Sequence, residues 1–266
     1  MTTRDTTRTA SIPRPSTASA PPTGIPFMRL AAVELRKQLD TRAGTWLLVA
    51  IALISGALIA LSVVTSERGT LTWTSLVSSA SVGQLTLLPL IGVMAATSEW
   101  SARTALTTFT LEPRRLRVTM AKVFSASGLG VLVSLVTIAM SALLNVVAIL
   151  AFDADDSWSV DLAVVAGVAL TVVLLVMQGV AFGLAFLSTP IAIVAYLALP
   201  SVWSILSLTI EAIREPAEWL DLNSMLATLS MGEMTADSWP KLLVALAVWI
   251  GIPMGIGLWR TARREP

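Results

Sequence analysis

Neither cysteine nor histidine occurs anywhere in the chain. Without cysteine there is no disulfide, thiol nucleophile or iron–sulfur ligand. Without histidine the commonest metal ligand and general acid–base residue are missing, which leaves an intramembrane enzyme little to work with. Charge is scarce as well: 13% of the 266 residues are Asp, Glu, Lys or Arg, against about 25% in soluble domains. No GxxxxGK[ST] phosphate loop is present either, so any ATP and Mg chemistry would have to reside on another polypeptide. No catalytic residue, metal site or cofactor is therefore expected in this chain, and no nucleic-acid partner.

What is abundant is apolar sequence, 55% of residues, gathered into runs that reach the ~20 residues needed to cross a bilayer. Six spans are read at about 46–64, 76–97, 118–151, 162–187, 190–210 and 242–259. Residues 1–26 differ in composition, rich in Thr, Ser and Pro with no apolar run, and are expected to form a disordered tail. Residues 27–266 make one membrane domain. The fold class is all-α, a polytopic membrane protein with six transmembrane helices.

Numbering the loops alternately puts 15 of the 18 Lys and Arg on one side of the membrane, with the N-terminus, residues 98–117 and the C-terminus. The other side has only Arg68, Arg214 and Lys241, but 11 of the 17 acids. By the positive-inside rule both termini are cytoplasmic. The preference for Arg over Lys and the abundance of Ala, Val and Leu suggest a bacterial source, so a bacterial plasma membrane crossed several times is expected. No Asp, Glu, Lys or Arg is expected at membrane depth. That argues against a carrier that couples to ions or protons through a buried charge.

Five features stand out against this frame. Residues 27–42, FMRLAAVELRKQLDTR, form a basic amphipathic helix with Met28, Ala31, Ala32, Leu35 and Leu39 at helical spacing, while Arg29, Arg36 and Lys37 face elsewhere. Such a helix lies in the headgroup layer, either as a plain anchor or as a lateral elbow touching a partner. In residues 98–117, SEWSARTALTTFTLEPRRLR, Ser98 is positioned to cap a helix with Glu99 in its first turn. Ala102, Ala105, Leu106 and Phe109 then form a stripe, and Pro113 ends the pattern ahead of Arg114, Arg115 and Arg117. This is either a topology-setting loop or a helix that docks on a cytosolic partner.

In residues 211–239, Leu222, Met225, Leu226 and Leu229 make another stripe, for a helix that lies on or dips into the outer leaflet. Polar residues inside spans are few. Ser78, Ser79, Gln84, Asn145 and Gln178 are candidates for a substrate path, or else hydrogen bonds between helices. Gly251 and Gly255 form a GxxxG, a common packing motif that hints at dimerisation.

The segments ELRKQLDTR, SEWSARTALTTFTLEPRR followed by Ala121–Lys122, and WLDLNS with the C-terminal span resemble the permease subunits of ABC-2-type ATP-binding-cassette exporters, particularly actinobacterial ones. The resemblance covers residues 28–266. It implies that residues 27–42 are the elbow helix, with Arg29, Glu34, Arg36 and Lys37 among its charges. Residues 98–111 would be the coupling helix between the second and third spans. Ser98, Glu99, Trp100, Arg103, Phe109, Pro113, Arg114 and Arg115 would couple to the ATPase. Short re-entrant or interfacial helices would lie between the fifth and sixth spans.

It further implies two copies of a cytosolic ATPase, which bind ATP and Mg, and a second permease copy or paralogue forming a dimer. The expected cargo is hydrophobic or amphipathic: a drug, peptide or lipid. The alternative is a non-transporting membrane scaffold or sensor that uses the same six-span fold.

Overall fold

In a computed structural model of the protein, the described residues are 25–65, 71–102, 104, 108, 110, 114–152, 158 and 161–263. Every regular element among them is helical. Helix α1 (Phe27–Asp40) is followed by α2 (Arg42–Thr65), α3 (Trp73–Ser101), α4 (Arg115–Phe152), α5 (Leu162–Phe186) and α6 (Thr189–Thr209). A short helix α7 (Arg214–Glu218), α8 (Leu222–Ser230) and a last helix α9 (Ser238–Arg263) complete the chain. Six of these, α2 to α6 and α9, are long and apolar enough to cross a membrane. They agree with the expected spans to within a few residues. The expected tail falls almost wholly outside the described residues.

The α3–α5 pair is the centre of the bundle, and small residues make it possible. A Cβ at Gly92 would collide with the Val176 carbonyl, and one at Gly179 with the Pro89 carbonyl. Gly183 lies against Val93 and Ala96. In a membrane, where lipid tails are as apolar as leucine, helices associate by this kind of close backbone approach. Around the seam, Ile51, Leu88, Ile91, Leu129, Val172, Val176, Val180 and Leu184 form the largest core. By contrast, the windows of α2 and α6 are only 17% buried, and their exposed Leu, Ile and Val are suited to face lipid.

Two loops are fixed by capping. Thr72 and Ser75 form a reciprocal capping box at the start of α3, and Asp161 accepts from the amides of Ala163 and Val164 at the start of α5. The α5–α6 turn uses Leu187 in a left-handed conformation, φ 52°, with its N–H donating to the Gly183 carbonyl. Thr189 then joins that turn to α3 through Thr97 Oγ1 at 2.7 Å and Ser101 Oγ at 3.0 Å.

The stripe in 211–239 goes deeper than a surface helix. Leu222, Leu226 and Leu229 of α8 are buried with Leu242 and Ala245, against Leu174 and Leu175 of α5. Thr171 Oγ1 donates to the Leu226 carbonyl, and Trp249 Nε1 to that of Leu220. Leu174 lies twelve residues into α5, about 18 Å from its start, so α8 packs alongside the first half of that helix. Gly167 permits the approach, since a Cβ there would collide with the Leu229 carbonyl. The GxxxG has no such partner among the described residues: Gly251 meets only the Leu246 carbonyl at 3.8 Å, Gly255 nothing within 4 Å, and it is Gly257 that packs against Leu184.

Candidate functional site

The end of the bundle that carries the positive charge is stitched by arginines to backbone carbonyls. Arg115 Nη1 donates to Thr261 at 3.1 Å, Arg117 Nη2 to Ile25 at 2.6 Å, and Arg260 Nη1 to Ala185. These bonds fix α1 and the end of α9 to the spans. Leu30 and Ala31 of α1 then pack on Val118 and Ala121 of α4, with Phe27 edge-on to Phe124 at 5.9 Å.

That register carries the next turns of both helices into contact. Lys122 Nζ donates to Glu34 Oε2 at 2.7 Å, and Gln38 Nε2 to Ser125 Oγ at 2.9 Å. From the other side α3 brings Glu99, whose Oε1 lies 3.2 Å from Lys122 Nζ and 3.1 Å from Lys37 Nζ. Lys37 also binds Glu34 Oε1 at 2.6 Å, and Thr108 Oγ1 donates to Glu99 Oε1 at 3.0 Å. Lys122 completes its three protons on the Ala95 carbonyl, 3.3 Å away. Two carboxylates and two ammonium groups from three helices thus form one closed, charge-balanced network.

Glu34, Glu99 and Lys122 are only 2%, 4% and 3% exposed. Taking such ions out of water costs several kcal/mol each, and only near-complete pairing and hydrogen bonding offset it. Lys37 is the member nearest solvent. Its partial burial pulls its pKa down, but Glu34 and Glu99 outweigh that and hold the ammonium above the ordinary lysine value.

Two charges lie within long helices: Glu99 in α3, and Lys122 seven residues into α4, about 10 Å from its start. Both are buried in the network. One expectation needs correction here: Ser98 does not cap a new helix. α3 runs unbroken through Ser98, Glu99 and Trp100 to Ser101 and stops at Ala102, whose N–H bonds the Ser98 carbonyl. Nothing in Glu-Trp-Ser interrupts a helix, so the second span simply continues. The stripe residues Ala105, Leu106 and Phe109 lie outside the described residues, as do Arg103 and Pro113.

On α1, Met28 and Leu39 are exposed, available to lipid as the stripe implies. The face turned inward is Leu30, Ala31, Glu34 and Gln38, so the helix buries charge and exposes apolar groups. Arg29 and Arg36 are exposed.

The substrate-path candidates are not brought together. Ser79 Oγ accepts from Ser62 Oγ at 2.8 Å, tying α2 to α3, and the Ser78 carbonyl accepts from Ser81 Oγ. Gln84 Nε2 donates to Thr137 Oγ1 at 2.6 Å, tying α3 to α4. Asn145 lies eight residues beyond Thr137 on α4, about 12 Å along the helix, and Gln178 is buried on α5. Gln84 Oε1, Asn145 Nδ2 and Gln178 Nε2 have no hydrogen-bond partner among the described residues.

Reasoning from the sequence missed the roles of Lys122, Gln38, Ser125 and Thr108. One signal was present: Glu34 and Gln38 continue the Leu30–Ala31 face at helical spacing, and a carboxylate on such a face needs a cation. When the chain is compared with known proteins, no family model matches it and no curated protein matches it.

Proposed function

We propose that this chain is the membrane-spanning permease subunit of an ABC-2-type exporter. It moves a hydrophobic or amphipathic substrate out of the cytoplasm, driven by ATP hydrolysis on a separate cytosolic ATPase. The observation that carries this reading is the buried network of Glu34, Lys37, Glu99 and Lys122. It links α1, the end of α3 and the start of α4, which are the elements bracketing residues 98–117.

A partner pressing on that segment pushes on α3 and α4 together. The ion network resists their separation, so the displacement passes along the spans instead of being absorbed where it arises. A switch of this kind needs a partner that contacts the segment differently in its two states. The resemblance of SEWSARTALTTFTLEPRR and Ala121–Lys122 to the family supports the same role, because it includes Glu99 and Lys122 themselves. The absence of a phosphate loop from the sequence gives the segment a reason to dock.

Charge reversal at Arg103 and Arg114 tests the proposal. Arg115, which donates to the Thr261 carbonyl, is left in place. With an ATPase encoded beside the permease co-expressed, R103E/R114E should abolish association and substrate-stimulated hydrolysis while the permease itself stays folded. Survival of both activities would falsify the coupling role. A chain that binds no ATPase in any form supports the scaffold reading.

A further inference from the structure

Beside the ion network a groove of about 890 Å³ opens between α1, the start of α2 and the end of α3. Its volume falls in the range of about 300–1,000 Å³ usual for sites that hold a ligand. We propose that this groove binds one anionic phospholipid, its phosphate on Arg29 and an acyl chain between α1 and α3. The proposal does not depend on transport.

Charge selects the ligand. The carboxylates of Glu34 and Glu99 are already committed to Lys37 and Lys122. Arg29, which also lines the groove, has no hydrogen bond or ion pair among the described residues. Counting Lys122 behind the wall, three cations meet two carboxylates, so the groove is net positive. Lys37 has used two of its three ammonium protons and its side chain is 41% exposed. Two turns along α1 from Arg29, it has a proton left for the glycerol or ester oxygens of a bound lipid. A guanidinium suits the phosphate oxygens, while the net positive charge disfavours the choline cation of a zwitterionic lipid.

Shape selects the tail. Leu30 and Val33 on α1 and Ile91 and Met94 on α3 line the groove. Ile91 lies ten residues before the end of α3, so the groove extends about 15 Å along the span. α1 presents Met28 and Leu39 outward, as a helix seated at headgroup level does. The groove therefore offers a cationic wall for a headgroup and an apolar one for a tail.

The test uses the purified chain in mixed micelles with phosphatidylglycerol or phosphatidylcholine of matched acyl chains, and bound lipid counted by native mass spectrometry. The wild type should retain one phosphatidylglycerol in preference to phosphatidylcholine. R29Q should lower that preference about fivefold, the worth of one cation at an anionic membrane surface, and R29K should restore it. M94W should abolish retention by filling the tail end of the groove. Should M94W fail to fold, V33W closes the same groove from an exposed position. Equal retention of the two lipids overturns the proposal, as does a preference untouched by R29Q. A preference lost in R29Q, kept in M94W and V33W and competed away by inorganic phosphate means a free-anion site, and also overturns it.

Discussion

Replacing Lys122 by methionine keeps the aliphatic stem and volume while removing the one cation bonded to both buried carboxylates from within the bundle. Removing one partner of a buried ion pair costs about 3–5 kcal/mol, because the remaining charge stays desolvated. Here Lys37 still binds Glu34 and Glu99, at 2.6 and 3.1 Å, from a partly exposed position. The loss for K122M should therefore sit at the lower end, about 3 kcal/mol. Adding E34Q removes one of the two carboxylates and leaves a neutral Glu99–Lys37 pair, so E34Q/K122M should lose less than the sum of the single variants. A coupling of about 2 kcal/mol is within the range for residues in direct contact. The assay is reversible unfolding in mixed dodecyl sulfate and maltoside micelles, followed by the fluorescence of the nine tryptophans. If K122M unfolds within about 0.5 kcal/mol of wild type, or the two losses simply add, the network does not hold α1, α3 and α4 together.

The central seam makes a sharper contrast between two glycines. G179A drives a methyl into the Pro89 carbonyl and should destabilise by about 1–3 kcal/mol, whereas G255A, with nothing within 4 Å, should unfold like wild type in the same micelles. L226A removes a side chain only 4% exposed and should cost about 2–4 kcal/mol, read as loss of hydrogen-exchange protection across α8; unchanged protection would mean that α8 is not anchored by its apolar stripe. Lys37 gives a pH dependence. Its pKa is raised on folding above the ordinary 10.5, so its contribution is complete below the unfolded value and lost as pH climbs through the folded one. The stability difference between wild type and K37M should be flat from about pH 7 to 10 and shrink above about pH 10.5; a difference that shrinks on acidification from pH 9 to 7 contradicts the assignment. On the opposite face Lys241 holds the exposed Glu218 carboxyl below its usual pKa, yet E218Q should leave the unfolding midpoint unchanged, because water screens such a pair.

The sequence by itself determined the six helices long and apolar enough to cross a membrane. Bilayer thickness imposes a length on any apolar run, and length and hydropathy are local properties: α5, read as 162–187, is Leu162–Phe186. It also showed the charge asymmetry of the loops and the stripe on α8, since helical periodicity spans only a few residues. Which face of α1 turns inward was another matter. Met28, Leu35 and Leu39 make the more obvious stripe, but a helix between lipid and protein has two acceptable neighbours, and hydropathy cannot say which side each takes. Only the tertiary structure set Glu34 against Lys122, 88 residues away, and put Glu99 between Lys122 and Lys37. Taken singly, each of these charges resembles an ordinary flanking residue. Their burial depends on the others being present, and that dependence runs between helices, where no spacing along the chain records it.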